Sequence, residues 1–124
     1  MGSRQLKALF DTNVLVECLA GFDQAAAEVD RYQNRFVSRV VWIEFLVGAR
    51  SADVESRRRS FLDQFNLLEV DEAVSEEAVL LRRRTRLRLA DAIILATARV
   101  HGLLLVTRNT RDFSRNDPDI RIPY

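Results

Sequence analysis

Short apolar segments alternate with helical patterns along the chain, and this alternation restricts the fold more than any other feature. The clearest segment, 103–107, is continuously apolar until its last residue, which is typical of a strand buried on both faces of a sheet. Shorter segments of similar character lie at 7–10, 36–38, 67–70 and 120–122. Strands that alternate with helices form mostly parallel sheets covered by helices. The sequence therefore predicts an α/β fold, a three-layer α/β/α sandwich with a short, mostly parallel central sheet.

Capping residues and apolar spacing locate the helices between these strands. The segment 40–49 is almost entirely apolar, which predicts a helix that is buried on most of its sides. Ser75 is the predicted N-cap of a helix that ends near Thr85, because two glutamates follow it in the first turn. The remaining predicted helices span residues 13–19, 23–32, 54–65 and 90–100.

Length and composition indicate one globular domain that spans residues 1–124. A chain of 124 residues has room for a single hydrophobic core, and a hydrophobic fraction of 48% excludes a disordered chain. No apolar run is long enough to cross a membrane. The single cysteine, Cys18, excludes an intramolecular disulfide and fits a reducing cytoplasm. Residues 1–3 resemble an expression remnant and are given no weight.

Three carboxylates stand alone within the most apolar stretches of the chain. Asp11 separates two apolar runs. Glu44 is the only charged residue within 40–49, and Asp91 is the only charged residue within 89–98. An ionised carboxylate in an apolar setting costs several kcal/mol unless it is compensated. Three of them together indicate that the fold gathers them around a shared divalent cation.

If the predicted sheet is parallel, the positions of these acids relative to the strands place them at one edge of the sheet. Ligands of parallel sheets bind beyond the carboxyl ends of the strands, and Asp11 follows the first strand there. Asn109 and Asp112 follow the fourth strand at the same edge. Glu44 lies one turn into the helix after the second strand, and Asp91 lies at the start of a helix that returns to this edge. We therefore expect one acidic rim.

Each acid also has a simpler structural interpretation. Asp11 could cap the helix that follows it, and Asp91 could be a first-turn acid that faces a helix dipole. Asp112 could belong to an exposed turn. Glu44 is harder to explain in this way, because no Lys or Arg lies three or four residues from it. A distant arginine could still pair with it. The joint pattern is more persuasive than any single member.

The chemistry of the candidate ligands favours Mg²⁺ or Mn²⁺. Carboxylate and amide oxygens are hard ligands, and the sequence contains one histidine, His101, and one cysteine, so no competing zinc cluster exists. His101 lies at a helix end and is interpreted as structural. A divalent ion among carboxylates can activate water for hydrolysis of a phosphodiester.

Arginine supplies nearly all the positive charge, since Lys7 is the only lysine. Arginine binds phosphate in a planar, bidentate manner. Five arginines shortly before Asp91 could therefore form a rim that follows a phosphate backbone. The alternative is a solvated helix face in which they pair with Glu76 and Glu77. The five arginines are Arg82, Arg83, Arg84, Arg86 and Arg88.

Four motifs together resemble those of PIN-domain nucleases. They are 9–15 (Leu-Phe-Asp-Thr-Asn-Val-Leu), 38–45, 89–98 (Leu-Ala-Asp-Ala-Ile-Ile-Leu-Ala-Thr-Ala) and 106–113 (Val-Thr-Arg-Asn-Thr-Arg-Asp-Phe). The resemblance covers nearly the whole chain, in order, and the last two motifs are the most specific. Length and motif character resemble the VapC-type toxins of toxin–antitoxin pairs.

This resemblance implies a metal-dependent endoribonuclease. Asp11, Glu44 and Asp91 match the acidic triad that holds Mg²⁺ or Mn²⁺ in the family. Either Asn109 or Asp112 would complete the site, since relatives differ at this point. Supporting polar residues would be Thr12, Asn13, Ser38 and Thr107. The family also implies an RNA substrate, a homodimer, a small antitoxin whose C-terminal segment covers the groove, and no membrane partner.

Two other functions remain as alternatives. A degenerate scaffold of the same fold could bind RNA or a partner protein without catalysis, and Asn109 in place of an acid is the one feature that favours it. A phospho-aspartate mechanism at Asp11 is disfavoured. Asn13 occupies the position where such phosphatases have a second acid, and Lys7 is the only lysine available to a receiver-type site.

Overall fold

The computed structural model describes residues 6–124 and shows five parallel strands flanked by six helices. The strands are β1 (Lys7–Phe10), β2 (Asn34–Ser38), β3 (Asn66–Leu68), β4 (Leu104–Val106) and β5 (Ile120–Arg121). The helices are α1 (Thr12–Leu19), α2 (Asp23–Asp30), α3 (Arg39–Val47), α4 (Ala52–Leu62), α5 (Glu72–Arg84) and α6 (Leu89–Val100). The predicted α/β sandwich is confirmed. The interpretation of residues 1–3 lies outside the described residues.

The sheet has the order β3-β2-β1-β4-β5, so the first strand of the chain lies at its centre. Leu9 pairs with Phe36 of β2 on one side and with Leu105 of β4 on the other. The ring of Phe10 packs edge-on against Tyr32, with the ring centres 5.5 Å apart. Strand β1 is therefore buried along most of its length, and the chain leaves it at the middle of the sheet's carboxyl edge.

Side-chain caps fix where several helices begin. The hydroxyl of Ser38 accepts the N–H of Val41 at the start of α3. Helix α5 begins at Glu72, three residues before the predicted cap, because the carboxylate of Asp71 accepts the N–H of Val74 at 2.9 Å. The hydroxyl of Ser75 instead donates to the carbonyl of Asp71. The prediction that Ser75 caps this helix is therefore wrong.

Helix α3 is not buried on most of its sides, contrary to the expectation from its apolar sequence. Val41 and Phe45 are fully buried, whereas Ile43 is 48% exposed and Val47 is 77% exposed. One side of α3 packs on its neighbours, and the opposite side, which includes Glu44, faces solvent. The structure thus places an exposed apolar strip beside a candidate acid. Within residues 6–124, every helix is too short or too polar to span a bilayer.

Candidate active site

Asp11 occupies the centre of the carboxyl edge of the sheet. The side chain is only 5% exposed, and both of its oxygens accept hydrogen bonds. The backbone N–H of Thr12 donates to Oδ1 at 2.8 Å, at the start of α1. The hydroxyl of Thr107, directly after β4, donates to Oδ2 at 2.7 Å. Residues from two neighbouring strand ends therefore fix the orientation of this carboxylate.

Glu44 is connected to Asp11 through Thr12. The hydroxyl of Thr12 donates to Oε1 of Glu44 at 2.7 Å, and the neighbouring N–H of the same residue donates to Asp11. Thr12 thus contacts two carboxylates at once, one at the end of β1 and one on α3. Glu44 is exposed, so its carboxylate loses little solvation, and it lines the groove.

Asp91 lies in the first turn of α6, and two residues of the loop after β4 support it. The amide nitrogen of Asn109 donates to Oδ2 of Asp112 at 3.1 Å, and the amide oxygen accepts the N–H of Asp112 at 3.3 Å. The carboxyl of Asp112 is close enough to that of Asp91 to share a hydrogen bond. Asn109 therefore positions Asp112 against Asp91.

An open groove of about 670 Å³ joins most of these side chains. Asp11, Glu44, Asp91 and Asn109 all line it. Asp112 lines a neighbouring cavity of about 290 Å³ and is connected to the groove through its contacts with Asn109 and Asp91. The predicted convergence of the acids on one edge is thus what the structure shows, with Asp112 one step further away.

Burial and mutual repulsion change the pKa values of the acids in and beside the groove. Burial, opposed in part by the Thr107 hydroxyl, raises the pKa of Asp11. Burial and then the charge of Asp11 raise the pKa of Asp91 to about 6. The hydrogen bond from Asn109 lowers the pKa of Asp112. Asp11 and Asp91 therefore both take up a proton more readily than an ordinary aspartate, and a bound cation would favour the ionised form of each.

The supporting polar residues have different structural roles. Thr12, Asn13 and Thr107 surround Asp11, and Oδ1 of Asn13 accepts the N–H of Arg108 at 3.1 Å. Ser38 is fully buried and caps α3, so it does not line the groove and influences the site only through the helix that presents Glu44. The role predicted for Ser38 is therefore indirect.

Glu17 is a groove residue that the sequence reasoning missed. It lies on α1 and lines the same groove as Asp11. The hydroxyl of Tyr124 donates to its Oε1 at 2.5 Å. Residues four apart lie on one face of a helix, so the spacing of Asn13 and Glu17 was a signal that could have identified it.

The five arginines before Asp91 do not form one continuous rim. Arg82 donates to the carbonyl of Leu87 at 2.7 Å and thereby fixes the turn before α6. Arg83 lines an apolar cavity on another face. Arg86 lines the cavity beside Asp112, and the charge of Arg88 contributes to the lowered pKa of that acid. Among the described residues, none of the five forms an ion pair with Glu76 or Glu77.

The donor set of the groove fits a hard divalent ion. The predicted ligands that line it, Asp11, Glu44, Asp91 and Asn109, offer three carboxylates and one amide oxygen, which suit Mg²⁺ and Mn²⁺. Burial is the main cause of the raised pKa of Asp91, and the neighbouring negative charges, first that of Asp11, raise it further. Within residues 6–124, no group of three or more His, Cys, Asp and Glu side chains is arranged closely enough to hold an ion as it stands. The fit thus rests on donor chemistry and charge.

Comparisons with known proteins agree with this arrangement. The family model described as "PIN domain" matches residues 8–117. A toxin–antitoxin complex from Klebsiella pneumoniae contains a chain of 40% identity and TM-score 0.87, covering 94% of this chain and 98% of that one. FitAcB from Neisseria gonorrhoeae is 25% identical at TM-score 0.78, covering 94% and 97%. The tRNA(fMet)-specific endonuclease VapC of Shigella flexneri is 27% identical over 123 residues, covering 89% and 92%. The chain belongs to the PIN-domain family.

Proposed function

We propose that this chain is a VapC-type endoribonuclease, a single nuclease domain over residues 1–124 that hydrolyses RNA phosphodiester bonds with Mg²⁺ or Mn²⁺. The observation that supports this most strongly is the meeting of Asp11, Glu44 and Asp91, from three separate segments, in one groove. Family membership supports the reaction class, and the VapC relative from Shigella flexneri is named for cleavage of a tRNA. The substrate class is accordingly RNA.

Asp11, Glu44 and Asp91 would hold the ion, with Asn109 or Asp112 completing the site. When bound, the ion supplies the positive charge that activates water and stabilises the leaving oxygen. Thr12 and Thr107 keep the oxygens of Asp11 in a fixed orientation. Above a pH of about 6, Asp91 loses its proton and presents a full negative charge to the groove. Acid pH therefore opposes ion binding.

The observed role of Asn109 argues against a degenerate scaffold. The loss of an acid at this position was the one feature that favoured such a scaffold. In the structure, the Asn109 amide makes two hydrogen bonds to Asp112 and places that carboxyl beside Asp91. The acid is thus present one turn further along the chain, with Asn109 as its support.

An antitoxin is the proposed protein partner, and the proposed place of action is the cytoplasm. The Klebsiella pneumoniae relative was solved as a toxin–antitoxin complex. Beside the groove, Val16, Ile43 and Val47 expose apolar surface that an amphipathic antitoxin segment would cover. We further propose a homodimer, for which the exposed Leu89 in an apolar cavity of about 420 Å³ offers contact area.

Cleavage of labelled RNA with and without metal tests the proposed activity. We expect purified protein to cut tRNA or a single-stranded RNA with Mn²⁺ or Mg²⁺ and not with EDTA. Asp11→Asn keeps the N-cap oxygen and should fold, but it should lose about 100-fold or more of the rate, since a ligand charge is removed. Asp63→Asn, an exposed acid outside the groove, is the matched control and should cut like the parent.

Calorimetry with Mn²⁺ separates this function from non-catalytic binding. The parent should give a binding heat that Asp11→Asn weakens strongly and Asp63→Asn leaves unchanged. Cleavage that persists unchanged in EDTA, or an Asp11→Asn variant as active as the parent, would contradict the proposal. RNA binding without a Mn²⁺ heat would identify the protein as a scaffold.

A further inference from the structure

The side chain of Arg108 is fixed at the edge of the groove. Its guanidinium carbon lies 4.4 Å from the centre of the Tyr124 ring, a stacking distance for arginine on an aromatic face. Its Nε lies 3.9 Å from Oε1 of Glu17, which lines the groove. Its backbone N–H donates to Asn13, another groove residue. Two groove residues and one aromatic ring therefore determine where this cation lies.

Tyr124 is itself held in place and acts as a platform. Its hydroxyl donates to Glu17, and its ring packs on Phe22 with the ring centres 5.5 Å apart. Burial and the hydrogen bond to Glu17 raise the pKa of Tyr124, so the hydroxyl keeps the proton that it donates. The carboxylate of Glu17 thus contacts both the Tyr124 hydroxyl and the Arg108 guanidinium, and the three side chains form one cluster.

The guanidinium of Arg108 has unused hydrogen-bond donors. Its Nε is buried without an acceptor in hydrogen-bonding range, since the contact with Glu17 is too long. Among the described residues, its terminal nitrogens also donate to no protein atom, while the side chain remains 34% exposed. By contrast, Arg121 makes two hydrogen bonds to Glu28, and Arg99 bonds two aspartates. Arg108 is therefore oriented but not satisfied.

The charge pattern of the groove shows what such an arginine can bind. The charged groups that line the groove are Asp11, Glu17, Glu44 and Asp91, all of them acids that repel an RNA phosphate, and Arg108 lies beside this lining through its contacts with Asn13 and Glu17. A planar guanidinium with free donors is the side chain best suited to a phosphate, which it binds through two parallel hydrogen bonds. A phosphate at the edge of the groove could accept hydrogen bonds from the terminal nitrogens of Arg108, and the positive charge of the guanidinium would offset the repulsion from the acids.

We propose that Arg108, held by Tyr124 and Glu17, binds a phosphate of the RNA strand next to the phosphodiester that is cut. Tyr124 and Glu17 are positioning residues in this arrangement. The inference rests on the proposed ribonuclease function of the groove. Because a flanking phosphate is bound before and during the reaction alike, Arg108 should affect KM much more than kcat.

Steady-state cleavage of a short single-stranded RNA in Mn²⁺ tests this assignment. We expect Arg108→Ala to raise KM about 5- to 10-fold with kcat within about 2-fold of the parent. The slope of log affinity against log salt should become shallower by about 0.7, the contribution of one phosphate contact on a single strand. Arg108→Lys should keep the slope but raise KM about 3-fold, because an ammonium cannot form the two parallel bonds.

Two further variants separate positioning from charge. Tyr124→Ala leaves the arginine but removes its platform, so KM should rise about 3-fold while the salt slope is retained. Arg57→Ala removes an exposed arginine of α4 that forms no ion pair within the described residues, and it should match the parent in every measurement. Thermal unfolding of each variant, followed by circular dichroism, reports any loss of folded protein.

The outcomes are distinct from those of the cleavage test. If the parent cuts RNA but Arg108→Ala leaves KM and the salt slope unchanged, or lowers kcat alone, the assignment is overturned. Weaker binding of a hexaglutamate peptide with unchanged RNA binding would also overturn it and indicate an acidic protein partner. If the parent cuts no RNA, the proposed function fails, and the role of Arg108 is then tested by fluorescence anisotropy with labelled RNA in EDTA. Equal RNA affinity of the parent and Arg108→Ala would overturn the assignment. Weaker and less salt-dependent RNA binding by Arg108→Ala would support it.

Discussion

At the scale of single residues, Asp11 shows that a structural and a chemical role need not compete. Its Oδ1 caps α1, which is the simpler interpretation of its position, while Oδ2 is held by Thr107 on the far side of the sequence. The cap fixes the carboxylate at the groove without using both oxygens in the helix. A residue that looks like a cap in the sequence is thus also available as a ligand.

Replacement of Thr107 by valine tests the value of orienting Asp11. The hydroxyl of Thr107 donates to Oδ2 and thereby lowers the pKa of Asp11. Valine lacks this hydroxyl but has nearly the same shape. We expect a loss of about 10-fold in cleavage rate, weaker Mn²⁺ binding and a decrease of about 1–2 kcal/mol in the free energy of unfolding. The control is Thr97→Val, which removes an equally buried hydroxyl bonded within α6. Equal cleavage rates in both variants would contradict the proposed role.

Asp91 makes the stability of the metal-free protein depend on pH in an unusual direction. Between the ordinary aspartate pKa of 3.8 and the raised pKa of about 6, the folded state binds a proton that the unfolded state does not. In this range the free energy of unfolding therefore falls as pH rises. We expect Tm, measured in EDTA, to increase when the pH is lowered from about 7 to about 5, and Asp91→Asn to reduce this increase.

Other acids with shifted pKa values must be considered in that measurement. Asp11 also has a raised pKa and adds to the same trend, so the increase should shrink in Asp91→Asn and not vanish. Glu28, Glu69 and Asp112 have lowered pKa values, so their protonation destabilises the fold only below their ordinary values of 4.5, 4.5 and 3.8. Asp63→Asn should keep the pH dependence of the parent. A parent whose Tm does not change over this range would contradict the assigned direction.

At the scale of helices and strands, local sequence predicted which elements exist better than what surrounds them. The apolar sequence of α3 predicted a helix correctly but not its exposed strip at Ile43 and Val47, because composition does not reveal which side meets a neighbour. Strand ends placed Asp11 and Asn109 on a shared edge, since a parallel sheet aligns its carboxyl ends. Glu17 was missed because its contacts come from Arg108 and Tyr124, far away in the sequence.

The start of α5 offers a test of the cap found in the structure. Asp71→Ala removes the carboxylate that accepts the N–H of Val74 and should lower the free energy of unfolding by about 1 kcal/mol. Ser75→Ala removes a hydroxyl that only donates to a carbonyl and should cost clearly less. Urea unfolding followed by circular dichroism measures both. A larger loss in Ser75→Ala would restore the cap that the sequence predicted.

At the scale of the whole molecule, an ion pair connects the edge of the sheet to α2. Arg121 of β5 donates from two nitrogens to the buried carboxylate of Glu28, at 2.6 and 2.9 Å. The hydroxyl of Tyr32 donates to the same carboxylate at 2.9 Å. Since β5 has only two residues and pairs with β4 alone, this contact is important for keeping the last strand in the sheet.

Removal of one partner of this pair should destabilise the whole fold. Arg121→Ala leaves the buried carboxylate of Glu28 with the Tyr32 hydroxyl as its main donor. We therefore expect a loss of about 2–3 kcal/mol in the free energy of unfolding. This loss is smaller than that for a fully buried ion pair, because Arg121 is partly exposed. Arg31→Ala, which removes a looser contact to the same acid, should cost under about 1 kcal/mol. Similar losses in both variants, measured by urea unfolding, would contradict the special role of Arg121.

The hydrogen bond between Thr107 and Asp11 joins residues that are 96 positions apart, across the two central strands β1 and β4. A polypeptide that is still being translated contains the first acid long before its orienting hydroxyl, its neighbouring strand or Asp112 has been made. Such a nascent chain cannot assemble the groove. The order of synthesis therefore delays the assembly of the groove until translation has passed the final motif.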